Sequence, residues 1–161
     1  MSDIRASQPI PMRVSKLMAE MHYFMAKEMI ERLGEKEGTE AVLSAINKMA
    51  ASRVEAMHKD AEEQGIEPWG KANYMKIKDF ATPDWKRDEK GIVTYCPMQE
   101  TWAQYGEEGL KIGALYCAID YPLYEGFGMK LDRPECLTTP GQHRCVFNYT
   151  MMDKEDSHEV K

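Results

Sequence analysis

The sequence predicts an α+β domain, in which an N-terminal helical hairpin packs on an antiparallel sheet with a further helix and a C-terminal β-hairpin. Two observations carry this prediction. Apolar residues recur every three or four positions through most of the first 64 residues, which is the period of an amphipathic helix. Near the C-terminus, two strand-like runs flank a Thr-Pro-Gly turn. The length of 161 residues suits one such domain.

Two long helices are expected first. One runs from about Val14 to Leu33 and ends at Gly34, and its methionine stripe includes His22. The other runs over residues 36–64 and ends at Gly65. Because the connection between them is short, they should form an antiparallel hairpin.

The middle of the chain is predicted to be irregular. Prolines, glycines and the charged run of residues 86–90 indicate loops. Residues 74–80 are interpreted as a short strand, and residues 91–96 as a better one because Ile92, Val93 and Tyr95 favour strands.

Helical spacing returns over residues 99–124, with a break or kink expected near Gly106 and Gly109. The last hairpin is predicted to pair residues 129–138 with residues 144–152. We expect a polar leader over residues 1–13, the domain over residues 14–152 and a charged tail over residues 153–161.

Composition excludes several classes of function. The formal net charge of -6 gives no basic excess with which to bind nucleic acid or an anionic membrane surface. No apolar run is long enough to span a bilayer, and the N-terminus lacks the pattern of a secretory signal. We therefore predict a cytoplasmic protein whose four cysteines are free thiols.

Several chemically capable residues fall on predicted core faces. Alternation along the last strand turns His143 and Cys145 inward together with its aromatic residues. Cys117 and Asp120 are three apart on an apolar helix, where a buried carboxylate needs a partner, and we expect Arg53 or His143 to provide it. Arg53 lies within the apolar stripe of the second helix, so it should pair with Asp120 or with a ligand carboxylate.

An ordered set of motifs resembles the signature of the L-2-amino-thiazoline-4-carboxylic acid hydrolase family. The motifs are Tyr95-Cys96-Pro97, Tyr116-Cys117-Ala118-Ile119-Asp120, Glu125-Gly126-Phe127, and the hairpin Gly141-Gln142-His143-Arg144-Cys145-Val146-Phe147. The helical half is similar through His22 and Arg53. The hairpin also resembles the 4-vinyl reductase domain. The resemblance covers about residues 21–149.

The resemblance implies hydrolysis of a small cyclic isothiourea carboxylate to N-carbamoyl-cysteine, without a cofactor and with a homodimer as one possible assembly. The catalytic candidates are Cys117, Asp120, His143 and Cys145, and the substrate-binding candidates are Arg53, His22 and Tyr116. Either water or a cysteine thiolate could be the nucleophile.

Two other interpretations stay open at this point. A non-catalytic module could bind a small molecule in the same pocket. A zinc site is also chemically possible, since Cys117, Asp120, His143 and Cys145 are acceptable ligands, but their spacing matches no standard zinc motif. The sequence therefore predicts no metal.

Overall fold

A computed structural model describes residues 5–80 and 82–154 of the chain. The first four residues of the predicted leader and residues 155–161 of the predicted tail lie outside the described residues. The α+β class, the N-terminal helical hairpin and the C-terminal β-hairpin are confirmed.

The helical hairpin consists of α1 (Ile10–Leu33) and α2 (Glu35–Glu63). Gly34 joins them with a φ of 87°, a conformation that glycine adopts without strain. The helices approach closely at Gly38, because a Cβ atom there would lie 2.4 Å from the Cα atom of Ile30. α1 begins before the predicted Val14, and a short 3₁₀ turn (Arg5–Ser7) precedes it.

The strand predicted over residues 74–80 is wrong, since α3 (Lys71–Ile77) is a helix. Tyr74 and Ile77 are both buried, and their spacing of three places them on one helical face. Lysine, alanine and methionine, which favour helices, make up most of the remaining positions. Burial at a spacing of three therefore outweighs the strand preference of the tyrosine and isoleucine.

The next elements match their predicted types, with the exception of β1. β1 (Lys86–Arg87), in the run expected to be a loop, pairs antiparallel with β2 (Val93–Tyr95). The predicted helical region is divided into α4 (Pro97–Ala103), α5 (Gly106–Cys117) and α6 (Asp120–Glu125).

The break predicted near Gly106 and Gly109 falls at the first of these glycines. Gly106 has a φ of 68° and begins α5. Gly109 lies inside α5, where a Cβ atom would come within 2.0 Å of the carbonyl oxygen of Trp102. This second glycine permits close packing of α5 on α4.

The C-terminal hairpin pairs β3 (Met129–Asp132) with β4 (Asn148–Met151) in antiparallel register. Both strands are shorter than predicted, because Pro134 cannot donate a backbone hydrogen bond. Residues 133–147 form the connection between the strands. Within it, Cys145 makes an isolated bridge to Val93, which joins the connection to β2.

One core unites these elements. Its largest fully buried side chains include Met57 of α2, Trp102 of α4 and Phe127, which follows α6. α6 packs against both α2 and β3, so its first residue, Asp120, lies where the helical layer meets the C-terminal hairpin. Within the described part of the chain, no helix is both long and apolar enough to cross a membrane.

Candidate active site

A cavity of about 350 Å³ opens between α3, the segment of residues 78–98, the ends of α5 and α6, and the connection before β4. Ligand pockets in proteins are typically about 300–1,000 Å³, so this cavity has room for a small molecule. Much of its wall is aromatic, being contributed by Tyr74, Phe80, Trp85, Trp102, Tyr116, Tyr124 and Phe147.

Asp120 is the one carboxylate among the described residues that line the cavity. Its Oδ2 atom accepts a hydrogen bond of 3.1 Å from Nη1 of Arg133, and the side chain keeps 29% exposure where it faces the cavity. Burial raises the pKa of Asp120 above its ordinary value, although the positive charges of Arg133 and Lys78 oppose this shift. Such a carboxylate accepts a proton more readily than an exposed one.

Arg133 connects Asp120 to three cysteines, and its side chain is only 5% exposed. Nη1 donates to the carbonyl oxygen of Cys117 at 2.9 Å, and Nη2 donates to Sγ of Cys136 at 2.8 Å. The guanidinium group also lies 4.7 Å from the ring centroid of Phe147. Arg133 thus fixes the carboxylate and the thiols relative to each other.

Cys117, Cys136 and Cys145 form what we call the thiol cluster. Sγ of Cys136 lies 3.7 Å from Sγ of Cys145 and 3.1 Å from the hydroxyl oxygen of Thr138. The carbonyl oxygen of Cys117 accepts from the same guanidinium group that donates to Cys136. Within residues 5–80 and 82–154, no group of three or more His, Cys, Asp or Glu side chains is placed to hold a metal ion.

The hydrogen bonds and burial make the pKa values of the three thiols unequal. Bonds donated by Cys117 and Cys145 lower the pKa of Cys136 strongly, and Thr138 and Arg133 lower it further. The same bonds, together with burial, raise the pKa of Cys117 and of Cys145. The thiolate form is therefore favoured most at Cys136, which accepts from Arg133, whereas burial favours the protonated form of the two cysteines that line the cavity.

The cavity wall carries an excess of positive charge, with Arg53, Lys71, Lys78 and Arg87 in addition to Arg133. Arg53 is already paired, since its Nε and Nη2 atoms donate to Asp79 at 2.9 and 2.5 Å. By contrast, no described carboxylate forms an ion pair with Lys71 or Lys78. These two lysines are available to an anionic ligand.

Burial keeps both lysines poorly solvated. It lowers the pKa of Lys71 to about 8, and it also lowers the pKa of Lys78. The ammonium group of Lys71 donates to the hydroxyl of Tyr124 and lies 4.4 Å from the centroid of that ring. A bound anion would favour the charged form of both lysines, and by linkage the charged lysines favour the anion.

The family model for L-2-amino-thiazoline-4-carboxylic acid hydrolase matches residues 14–149, which is most of the chain and includes the whole cavity wall. The chain belongs to this family. The resemblance found in the sequence is thereby confirmed. Comparisons with curated proteins and with solved structures gave no match.

Five of the seven site residues predicted from the sequence line the cavity of this family member: Arg53, Tyr116, Cys117, Asp120 and Cys145. His22 is not among the lining residues. Its Nε2 atom lies 2.9 Å from the carbonyl oxygen of Ile112, and its ring packs edge-on against Tyr116 with centroids 5.4 Å apart. His22 therefore supports a lining residue from behind.

The predicted inward orientation of His143 is wrong, because its side chain is exposed. The prediction assumed regular alternation from residue 144, but β4 begins only at Asn148. In the preceding connection the backbone is irregular, so alternation does not fix side-chain direction there. Cys145 is nevertheless buried, through its bridge to Val93.

The predicted partners of Asp120, Arg53 and His143, are also wrong, since the partner is Arg133. Arg53 pairs with Asp79 instead. Four further residues, which were not predicted from the sequence, complete the charged wall and the thiol cluster: Lys71, Lys78, Arg133 and Cys136. A usable signal existed for Cys136, which faces Cys145 across the Thr-Pro-Gly turn, but Arg133 lies beside Pro134 outside any periodic pattern.

Proposed function

We propose that this protein hydrolyses a small cyclic isothiourea carboxylate, such as L-2-amino-thiazoline-4-carboxylate, to N-carbamoyl-cysteine. The observation that carries the proposal is that Asp120 is the one carboxylate among the described residues lining a small aromatic cavity, whose two lysines form no ion pair with a described carboxylate. The substrate is complementary, since it is flat and carries a carboxylate and a basic amidine-like group. Membership of the family supports the same substrate class.

Asp120 would bind the amidinium end of the substrate. Its pKa is raised by burial, so neutralisation by a cation inside the cavity is favourable. Pairing with Asp120 keeps the substrate in its protonated amidinium form, whose ring carbon between nitrogen and sulfur is more electrophilic than that of the neutral form. Asp120 is thus placed to orient the reacting end of the substrate and to accept a proton there.

The arrangement favours water over a cysteine as the nucleophile. The two thiols that line the cavity, Cys117 and Cys145, are held in the protonated form by their bonds to Cys136 and by burial. A protonated thiol is a poor nucleophile. Asp120 faces the same cavity as an acceptor, and His143 is too exposed to act there. We therefore assign Asp120 as the general base.

The hydrolysis consumes one water molecule. Asp120 takes one proton from water as the oxygen bonds to the ring carbon. The carbon–sulfur bond then breaks with both electrons going to sulfur, and Asp120 returns its proton to that sulfur. The second water proton leaves to solvent as the carbonyl forms, which yields N-carbamoyl-cysteine and restores the Asp120 carboxylate. A thiolate leaves well near neutral pH, so no separate strong acid is needed.

Lys78 and Lys71 would bind the substrate carboxylate. Arg53 was the residue predicted for this role. However, its Nε and Nη2 atoms both donate to the carboxylate of Asp79. The two lysines line the same cavity without an ion pair among the described residues. A carboxylate placed there leaves the amidinium end free to reach Asp120.

Lys78→Met should raise KM for the thiazoline about 10- to 100-fold and leave kcat nearly unchanged, because a hydrogen bond to a charged group contributes about 1.5–3 kcal/mol. Lys76→Met is the matched control, since Lys76 lies in α3 but is exposed and outside the cavity wall. Steady-state kinetics would measure both variants. Equal KM values for the two would contradict the assigned role.

The direct test is incubation of the purified full chain with L-2-amino-thiazoline-4-carboxylate. Mass spectrometry should identify N-carbamoyl-cysteine, and a thiol reagent should detect one new thiol per substrate consumed.

The rival interpretation, a binding module, is favoured only by the aromatic wall. It would be supported if the aromatic analogue 2-aminothiazole-4-carboxylate quenched the fluorescence of Trp85 and Trp102 while the thiazoline stayed intact.

A further inference from the structure

Cys136 and Cys145 face each other across the turn that precedes β4. The backbone N–H of Val146 donates to the carbonyl oxygen of Glu135 at 3.0 Å, which makes Cys136 and Cys145 the next opposed pair toward the turn. Opposed residues of antiparallel segments have Cα atoms about 4.5–5.5 Å apart, and a disulfide requires about 4.4–6.8 Å. Their Sγ atoms are 3.7 Å apart, so modest side-chain rotations would join them.

We propose that Cys136 and Cys145 form an oxidative modification site, at which a hydroperoxide converts the two thiols into one intramolecular disulfide. The proposal stands on the opposed backbone positions, the sulfur separation and the donors around Cys136. The proposed oxidation does not depend on whether the protein hydrolyses a thiazoline.

Cys136 is the cysteine that reacts first. Nη2 of Arg133 donates to its sulfur at 2.8 Å, and the hydroxyl of Thr138 lies 3.1 Å away. These contacts stabilise the thiolate, which is the form that attacks peroxides. Cys136 is half-buried, and its neighbours Arg133 and Cys145 line the cavity, so its sulfur is not sealed in the core.

The chemistry has two balanced steps. The Cys136 thiolate attacks one peroxide oxygen, the O–O bond breaks, and the departing oxygen takes a proton to leave as water or an alcohol, giving Cys136 sulfenic acid. The sulfur of Cys145 then displaces the hydroxyl, which leaves as water with the thiol proton. Overall the two cysteines lose two electrons, and the hydroperoxide is reduced.

Cys145 is assigned as the second cysteine because its Sγ atom is the sulfur directly opposite Cys136. The backbone N–H of Leu137 donates to Cys145 Sγ at 3.2 Å, which holds that sulfur beside its partner. Cys117 lies at the end of α5 rather than on the opposed segment, and its carbonyl oxygen bonds to Arg133. Since Cys145 lines the cavity, the modification alters the cavity wall.

Peptide mapping can identify which two cysteines form the disulfide, because trypsin leaves each cysteine on a separate peptide. Cleavage after Lys90, Lys111, Lys130 and Arg144 isolates Cys96, Cys117, Cys136 and Cys145. The reduced full chain would be treated with an equivalent of hydrogen peroxide, alkylated and digested. We expect the free thiols to fall from four to two, the protein to lose two hydrogen atoms, and peptides 131–144 and 145–154 to be joined.

Two variants serve as controls. Cys96→Ser should leave the crosslink intact, and Cys145→Ser should abolish it while Cys136 gains oxygen. A crosslink between Cys117 and Cys136, or only irreversible oxidation of Cys136 in the wild-type chain, would overturn the assignment of Cys145. Unchanged thiols at a peroxide concentration that oxidises free cysteine would overturn the site altogether. The wild-type map decides the question even if a variant fails to fold.

Discussion

Asp120→Asn is expected to lower kcat for thiazoline opening by about 100- to 10,000-fold, the contribution usual for a general base. Asparagine keeps the shape of the side chain and can still accept the hydrogen bond from Arg133, but it cannot take a proton from water. The variant should fold, because burial raises the pKa of Asp120 and the ionised carboxylate therefore costs stability at neutral pH. Product formation and a thermal unfolding curve would be measured on the same sample.

Asp60→Asn is the matched control, since Asp60 is exposed on α2 and does not line the cavity.

In the wild-type protein, activity should fall as the pH drops through the raised pKa of Asp120, because only the ionised carboxylate accepts a proton. This acidic limit should lie at a higher pH than that of an ordinary aspartate. Full activity in Asp120→Asn, with a folded protein, would remove Asp120 from the mechanism.

Of the five predicted residues that line the cavity, the four that lie on helices are Arg53, Tyr116, Cys117 and Asp120. Cys117 ends α5 and Asp120 begins α6, so their spacing of three on a helical stretch indicated a shared direction. Tyr116 belongs to the same motif, and Arg53 lies in the middle of α2. On helices, sequence spacing fixes direction, and the cavity wall was predictable there.

The missed residues lie where spacing does not fix direction. Arg133 follows β3, Cys136 lies in the connection, and Lys78 is the residue after α3. Their positions are set by tertiary contacts, such as the bond from Arg133 to the carbonyl oxygen of Cys117 across 16 residues of sequence. The same cause explains the error at His143, where regular alternation was assumed before β4 begins.

The fold was more predictable than the site because its long elements carry strong periodic signals. α1 and α2 bury residues three and four apart over many turns, so their type and pairing were clear from the sequence. The short α3 has only two buried residues and was mistaken for a strand. The homodimer, the cytoplasmic location and the domain boundaries stay predictions.

Arg133→Met should lower the free energy of unfolding by about 3–5 kcal/mol at neutral pH, the usual cost of removing one partner from a buried ion pair. The Arg133 side chain is 5% exposed and compensates both the Asp120 carboxylate and the Cys136 thiolate. Methionine fills much of the volume but provides no charge, so both anions would be left without their main partner. Urea unfolding followed by tryptophan fluorescence would measure the loss.

Arg144→Met provides the comparison from the same connection. Arg144 pairs with Glu135 at 2.6 Å, but its side chain is 48% exposed, and surface pairs contribute about 0–1 kcal/mol. The Arg133 effect should also shrink at low pH, where Asp120 is protonated and needs no partner. In Asp120→Asn the further change Arg133→Met should cost less than it does in the wild-type protein, because the two residues are coupled. If Arg133→Met were no more destabilising than Arg144→Met at neutral pH, Arg133 would not be the residue that compensates the buried anions of this site.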